Sequence, residues 1–321
     1  MGIYKPETLE NKPEAAFTVK QVDGFLNVSN EMVTIGFDKQ NGQLAILDYG
    51  KENMILEGIK PNFWRATTDN DFGFNMPEKM KVWKEASINQ ELKSFKVLVN
   101  NKEMALDNFL QPQDVPSLKI VSEYFLPSVN GSVEVSYILE PNGMVYINNQ
   151  LKNLSKNLPP MPRFGNNVVI KNEYNQVNWY GRGPHENYQD RKTSALVGNY
   201  SAMVKDLYVP YIRPQENGYR TDNRKVSFTN ASGYGIEIEK GSNYFSFSAH
   251  HQYNSDFDEG VKKQQRHTID VPIRDLVSIN IDYKQMGVGG DDSWQAQPHD
   301  AYKIFPNNLN YSYSIKPAKI N

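Results

Sequence analysis

The 321-residue sequence contains no cysteine. Disulfide bonds, a thiolate nucleophile and cysteine-ligated zinc or iron–sulfur centres are therefore excluded together. The compartment is not decided by this absence, because a secreted protein need not carry a disulfide. Both the cytoplasm and the periplasm stay open, depending on what precedes Met1 in the natural protein.

Long apolar runs are also missing. No stretch approaches the roughly 20 apolar residues that span a bilayer, so we expect no membrane association. The N-terminus, MGIYKPETLENKPEAAF, lacks the basic and then apolar pattern of a signal peptide. We interpret residues 1–16 as a linker or a segment added at an artificial boundary, and residues 17–321 as the folded domain.

Neither sign of charge is in excess. The chain has 35 basic and 37 acidic residues, for a net charge of −2, and no run of Lys or Arg. Binding to nucleic acid normally needs a positive field, so nucleic acid is not an expected partner.

Helical periodicity is scarce, whereas alternation of apolar and polar residues is common. Alternation at period two is typical of a strand with one buried face. The clearest candidates are residues 131–139, 144–151, 234–239, 243–250 and 276–283. Because strands and helices do not alternate, a parallel α/β sheet is disfavoured. The pattern predicts an all-β fold, a large antiparallel sandwich.

Turn signals support this fold. Asn41-Gly42, Asn130-Gly131 and Asn142-Gly143 supply residues that tolerate the positive φ of tight hairpin turns. The best helix candidate is residues 76–86, with a proline near its start. The proline-containing loop at residues 153–167 is either a break between domains or a crossover within one.

The segment QMGVGGDDSWQ, residues 285–295, combines three glycines, two aspartates and a tryptophan. A phosphate loop is excluded, because the aspartates would repel an anion and no helix follows. A surface calcium or sodium ion at Asp291 or Asp292 remains open. Trp294 either stacks on the apolar face of a sugar ring or plugs the end of the sandwich. We expect Trp64, Trp83 and Trp179 in the core.

Two further loops carry acid–base residue types. In RGPHENYQDR, His185, Glu186 and Asp190 are groups that transfer protons, but nearby arginines favour a structural brace. DNDFG opens like a calcium loop, yet Met80 occupies the position of the bidentate glutamate of an EF-hand. The sequence therefore predicts no metal site there.

Four long motifs together resemble a known family. NFWRATTDNDFG, WYGRGPHENYQDR, YIRPQENGYR and QMGVGGDDSW occur in this order in the C-terminal domain of family 2 β-galactosidases, and the resemblance covers nearly the whole chain. It implies a large β-supersandwich similar to galactose mutarotase, with one or two short helices. It also implies that the catalytic glutamates, Mg and Na lie on a separate TIM-barrel domain, so we expect no catalytic residue, metal or cofactor in this chain.

The resemblance assigns roles to particular residues. It implies that Trp294 packs against the sugar, mainly on the aglycone side. The residues expected to shape and brace this loop are Gly287, Gly289, Gly290, Asp291 and Asp292. Residues expected in a cleft or an interdomain contact are Asp69, Asp71, His185 and Glu186.

The resulting hypothesis is a non-catalytic domain or small subunit that completes the active-site wall of a β-galactosidase. Its expected partners are the barrel domain or large subunit and a galactoside such as lactose. One alternative is a free-standing aldose-1-epimerase-like enzyme, which needs His185 with Glu186 or His250 with Asp256. The other is a carbohydrate-binding module.

Overall fold

A computed structural model describes residues 17–292 and 295–318. The strands are β1 Phe17–Val22, β2 Phe25–Ser29, β3 Thr34–Asp38, β4 Leu44–Asp48, β5 Ile55–Asn62, β6 Glu91–Val99, β7 Lys102–Met104, β8 Gln113–Val115, β9 Leu118–Leu126, β10 Gly131–Leu139, β11 Val145–Lys152, β12 Arg163–Lys171, β13 Gln176–Gly183, β14 Leu196–Met203, β15 Arg220–Asn223, β16 Lys225–Thr229, β17 Gly235–Lys240, β18 Phe245–His250, β19 Leu276–Gln285 and β20 Leu309–Pro317. The α-helical segments are α1 Asp69–Gly73, α2 Met76–Lys79, α3 Lys81–Ile88, α4 Val204–Leu207 and α5 Asn254–Phe257. Short 3-10 turns span Leu106–Phe109, Pro127–Val129, Thr268–Asp270 and Asp300–Tyr302.

The strands form three sheets. A five-stranded sheet has the order β4-β3-β2-β1-β8, a ten-stranded sheet runs β14-β13-β16-β17-β20-β11-β10-β9-β6-β7, and a second five-stranded sheet runs β15-β18-β19-β12-β5. Long antiparallel ladders join their neighbours, for example β10 with β11 and β12 with β19. The predicted all-β antiparallel fold is confirmed.

The alternating segments became strands at nearly the expected bounds. Residues 131–139 form β10, and residues 276–283 lie within β19. The three Asn-Gly pairs lie at hairpin connections, where Gly42, Asn130 and Gly143 have φ of 72°, 43° and 84°. These backbone angles explain why asparagine and glycine occur at those positions.

The predicted helix at residues 76–86 exists but is interrupted. Met80 ends α2 and precedes α3, with φ of −116° and ψ of 11°. The break lets both Met80 and Trp83 face the core, where each is at most 3% exposed. Within the described residues no helix is long and apolar enough to cross a membrane.

The core lies between the sheets. Phe164 of β12 meets Tyr311 of β20 edge-on at 5.1 Å, and Phe37 of β3 meets Tyr137 of β10 in the same way at 5.1 Å. One hydrophobic cluster contains residues of all three sheets. The loop between β11 and β12 therefore crosses from one sheet to another over a shared core. Trp64, Trp83 and Trp179 are buried as expected.

The second five-stranded sheet has an apolar face and a polar face. Ile279 and Ile281 of β19 join the core, whereas the alternate residue Asn280 bonds Asn62, Asn167 and Ser248. This polar face is nonetheless buried, since Asn280 is 1% exposed. The candidate site is formed by the segments that follow β5 and β19 of this sheet and β13 of the ten-stranded sheet.

Candidate functional site

A fully buried arginine fixes the start of the glycine-rich segment. Arg65 follows β5 and donates to both oxygens of Asp71, at 2.7 and 3.0 Å. It also donates to the carbonyl oxygens of Met286 at 2.5 Å and Gly287 at 3.0 Å, and to Gln285 Oε1 at 3.1 Å. We call residues 286–290 the glycine arm. Arg65 therefore joins the first turn of the glycine arm to residues 69–71, which we call the DND loop.

The DND loop is itself held by helix capping. Thr68 caps α1, and Asp71 completes a capping box by accepting from the Thr68 backbone N–H at 2.9 Å. Asn70 donates from Nδ2 to the Val288 carbonyl at 2.9 Å. Asp69, half exposed, pairs with Arg213 and Lys263 at 3.2 Å each. Asp71 is thus a buried structural anion, whereas Asp69 lies at the surface of the site.

Asp190 holds the arm from the other side. Its Oδ2 accepts a hydrogen bond from the Gly289 backbone N–H at 2.7 Å. A Cβ at Gly287 would lie 2.5 Å from the same oxygen, and one at Gly289 would lie 3.2 Å from it. Close approach of this carboxylate therefore requires glycine at position 287. At Gly290 a Cβ would meet the Ala296 carbonyl at 2.8 Å.

The two aspartates of the segment lie at the surface. Asp291 Oδ1 is 2.9 Å from His299 Nε2, and Asp292 accepts from the Ala296 backbone N–H at 3.4 Å. Trp294, the residue expected to contact sugar, lies outside the described residues. Within the described ranges no group of three or more acidic, histidine or cysteine side chains converges as a metal site would.

Glu186 forms a brace in the loop after β13. Its Oε1 accepts from Arg191 at 2.5 Å and from the Tyr211 hydroxyl, and its Oε2 accepts from the Gly218 N–H at 2.8 Å. Burial and the bond to Glu186 raise the pKa of Tyr211. His185 is exposed and contacts Ser194 at 3.2 Å. Both Glu186 oxygens are occupied by donors other than His185.

His250 and Asp256, the second histidine–carboxylate pair considered for an epimerase, are each bonded to other groups. His250 Nε2 lies 3.0 Å from the Asn217 carbonyl, and burial lowers the pKa of this imidazole to about 4. Asp256 instead accepts from Arg274 at 2.7 and 2.6 Å. In the described part of the chain, neither histidine forms a hydrogen bond with its expected carboxylate.

A second buried layer lies beneath the arm. Gln285 donates to Glu216 Oε1 at 3.1 Å, and Arg163 donates to Glu216 Oε2 at 3.2 Å. Arg163 Nε also lies 3.1 Å from Asp282 Oδ2, without hydrogen-bond geometry. Burial raises the pKa of Glu216 and raises that of Asp282 to about 7, despite the opposing charge of Arg163. A Cβ at Gly165 would overlap Asp282, so glycine there admits the carboxylate into the sheet.

A cavity of about 470 Å³ lies between the arm and these loops. Asp69 and Asn70 line it from the DND loop, and Gly289 lines it from the arm. The remaining lining residues are Thr68, Tyr188, Asp190, Arg191, Tyr211, Gln215, Glu216 and Val288. Its volume falls within the range of small-molecule sites, about 300–1,000 Å³.

Several residues of this site had no predicted role. Arg163 and Asp282 are far apart in sequence and meet because β12 pairs with β19. Arg65 likewise reaches Met286 across more than 200 residues, so no local pattern joins either pair. The one sequence feature that could have indicated a buried charge was Arg65, a charged residue in a segment of apolar and aromatic residues. Asp190 was considered for proton transfer or a loop brace, not for holding the glycine arm.

Fold and site together define a large antiparallel β-sandwich protein whose polar loops enclose a cavity over one sheet. Residues 29–316 match the family described as β-galactosidase small chain. The chain belongs to this family.

The curated relatives and the solved structures cover most of this chain, but they differ in sequence identity to it. A β-galactosidase of Priestia megaterium is 35% identical over 309 residues, covering 94% of this chain and 27% of that protein. One of Pseudoalteromonas haloplanktis is 31% identical over 310 residues, covering 94% of this chain and 28% of that protein. A galactose mutarotase related enzyme from Lactobacillus acidophilus covers 92% of this chain and 98% of its own, with 8% identity and a TM-score of 0.46.

The chain spans about a quarter of the length of the curated relatives it matches. It thus corresponds to the small-chain part of β-galactosidases, which in those relatives is one region of a longer protein.

Proposed function

We propose that this chain completes the active-site wall of a β-galactosidase and contributes sugar binding rather than proton transfer. The family it belongs to supports the substrate class, a terminal β-galactoside such as lactose. The proposed partner is the remainder of the enzyme, a TIM-barrel domain or large subunit that carries the catalytic glutamates. In this arrangement Trp294 packs on the sugar from the aglycone side.

One observation carries the proposal: the glycine arm is held by a fully buried arginine, Arg65, and by a partly buried aspartate, Asp190. Arg65 holds the carbonyls of Met286 and Gly287, and Asp190 holds the N–H of Gly289. A segment that only closed the end of the sandwich would not need such restraint. Restraint of this kind suits a residue that must be placed accurately against a ligand, because misplacement by about 1 Å weakens catalysis strongly.

The test is kinetic and uses the complete β-galactosidase that contains this chain. We expect Trp294→Ala to raise KM for a nitrophenyl galactoside while the covalent chemistry of the nucleophile persists, and Trp294→Phe to retain most of the affinity. The isolated 321-residue chain should not turn the substrate over. Turnover by the pure chain, or unchanged KM in Trp294→Ala, would overturn the proposal.

A further inference from the structure

The strand β14 forms one edge of the ten-stranded sheet. Its eight residues pair with β13, which is its only strand neighbour in the described chain. The Leu196 carbonyl already accepts from the Tyr200 hydroxyl at 2.9 Å, so the open edge begins at residue 197. Among the described residues, 197–203 make no backbone hydrogen bond outside the ladder with β13. Alternate N–H and C=O groups of such an edge are free to pair with a further strand.

The other sheet edges of the described chain carry features that hinder pairing with another chain. β7, β8 and β15 have three or four residues each, and each contains a charged residue. β4 has five residues, and its pairing with β3 shifts register. β5 has eight residues, but it contains Lys60 and Pro61, and its register against β12 shifts twice. Short strands, charges, proline and irregular register are the means by which natural sheets avoid edge-to-edge association.

The edge strand β14 has none of these protective features. Its sequence, LVGNYSAM, contains no charged residue and no proline, and its ladder with β13 has no register shift. Leu196 and Val197 are 72% and 41% exposed. A long, regular and uncharged edge with exposed apolar side chains is open to strand addition. This contrast with the other edges indicates that β14 is covered when the protein is assembled.

The absence of charge in β14 favours a second copy of the chain as its partner. An antiparallel pair formed by β14 and its own copy is two-fold symmetric, and this is the commonest symmetry of homo-oligomers. Self-pairing of a charged strand can bring like charges opposite each other, which is destabilising. Because β14 contains no charged residue, its own residues oppose no like charges in any register. A second copy also supplies a strand of the same length.

We propose that β14 is a self-association surface, through which two copies of this chain pair antiparallel and join their ten-stranded sheets into one continuous sheet. This surface goes beyond the proposed function and depends neither on Trp294 nor on the cavity. The pair buries the exposed apolar side chains at the edge and gives partners to the open backbone groups of residues 197–203.

Sedimentation equilibrium of the full 321-residue chain over a range of concentrations tests the proposal. We expect an equilibrium between a monomer of 36.8 kDa and a dimer of twice that mass. Val197→Lys and Ser201→Lys, on one face of β14, should each raise the dimer dissociation constant. Their combination should raise it about 10-fold or more, because lysines of the two copies approach each other across the pair. Tyr146→Lys is the matched control, since Tyr146 lies on the interior strand β11 and is 46% exposed; it should leave the dissociation constant unchanged.

Amide hydrogen exchange gives a second measurement, located in the strand itself. Exchange of residues 197–203 should slow as the chain concentration rises, whereas exchange in the opposite edge strand, β7, should not change. Circular dichroism reports folding, and if Val197→Lys does not fold, Ser201→Lys alone decides.

A chain that stays monomeric up to about 100 µM would overturn the proposal, including the case in which another part of a longer enzyme covers β14. A dimer that is equally stable in Val197→Lys, Ser201→Lys and Tyr146→Lys would also overturn it, because the contact between copies would then lie elsewhere.

Discussion

Asp190 and Gly289 are joined by a 2.7 Å hydrogen bond from a backbone N–H to a carboxylate oxygen, across 99 residues of sequence. The same carboxylate explains why position 287 is glycine, because a Cβ there would overlap it. This bond therefore joins the loop after β13 to the segment after β19 at the edge of the cavity. Removal of the Asp190–Gly289 hydrogen bond should therefore change both the stability of the chain and the placement of the glycine arm.

Loss of the Asp190 carboxylate should destabilise the chain. Asp190→Ala removes a charge-assisted bond and leaves the Gly289 N–H without that acceptor, at a cost of about 1–3 kcal/mol in unfolding free energy. Urea unfolding followed by tryptophan fluorescence measures it. Asp300→Ala, an exposed aspartate whose side chain is 78% accessible, is the control and should change stability by less than about 0.5 kcal/mol. Equal losses of stability in the two variants would contradict a stabilising role for the Asp190–Gly289 hydrogen bond.

Gly287→Ala should destabilise more than Gly289→Ala. The added Cβ would lie 2.5 Å from Asp190 Oδ2 at position 287 but 3.2 Å at position 289. Overpacking of this kind costs about 1–3 kcal/mol. The penalty should shrink in the double variant Gly287→Ala with Asp190→Ala, because the clashing oxygen is gone. Additive penalties in the double variant would show that the carboxylate is not the obstacle.

Arg65→Met should be among the most damaging single substitutions. It leaves Asp71, 1% exposed, as a buried charge without its partner, which costs about 3–5 kcal/mol. Combining it with Asp71→Asn should recover part of that loss in chemical denaturation. Lys81→Met breaks an exposed pair with Glu78 and should cost less than about 1 kcal/mol. A small effect of Arg65→Met would mean that the buried network does not hold the arm.

Asp282 should make stability depend on pH in a defined direction. Burial raises its pKa in the folded chain to about 7, above the ordinary value near 4 in the unfolded chain. Between these values the folded state binds more protons, so this group lowers stability as pH rises from about 4 to about 7, by at most about 1.4 kcal/mol per pH unit.

The measurement is the difference in unfolding free energy between wild type and Asp282→Asn across this range. The difference isolates Asp282 from His250, whose lowered pKa acts in the opposite direction between pH of about 4 and 6.5. We expect Asp282→Asn to lose stability less, or gain more, as pH rises. A difference independent of pH would contradict the raised pKa.

The sheets were predictable from sequence because strand periodicity is local. The segment that forms β10 shows its alternation and its Asn-Gly turns within a few residues, and both features directly determine backbone conformation. The break at Met80 was not predictable, since nothing in the helical pattern marks it and it serves tertiary packing of Met80 and Trp83.

The site was predictable only in outline. Loops rich in polar and aromatic residues were identified, but the pairing of Arg65 with Met286 and of Asp190 with Gly289 depends on strand order, which no local pattern encodes. Glu186 was considered for proton transfer or a structural brace; its oxygens are bonded to Arg191, Tyr211 and Gly218. Composition identifies the residue types, and topology decides their partners.

We propose that the restrained glycine arm presents Trp294 to a sugar held by the rest of the enzyme. A double-mutant cycle in the complete β-galactosidase tests it, with KM for a nitrophenyl galactoside measured for Asp190→Ala, Trp294→Ala and the double variant. We expect both single variants to raise KM and the double variant to raise it little beyond Trp294→Ala, because a loosened arm matters only when it carries the ring. Independent, fully multiplicative effects, or an unchanged KM in Asp190→Ala, would contradict the claim.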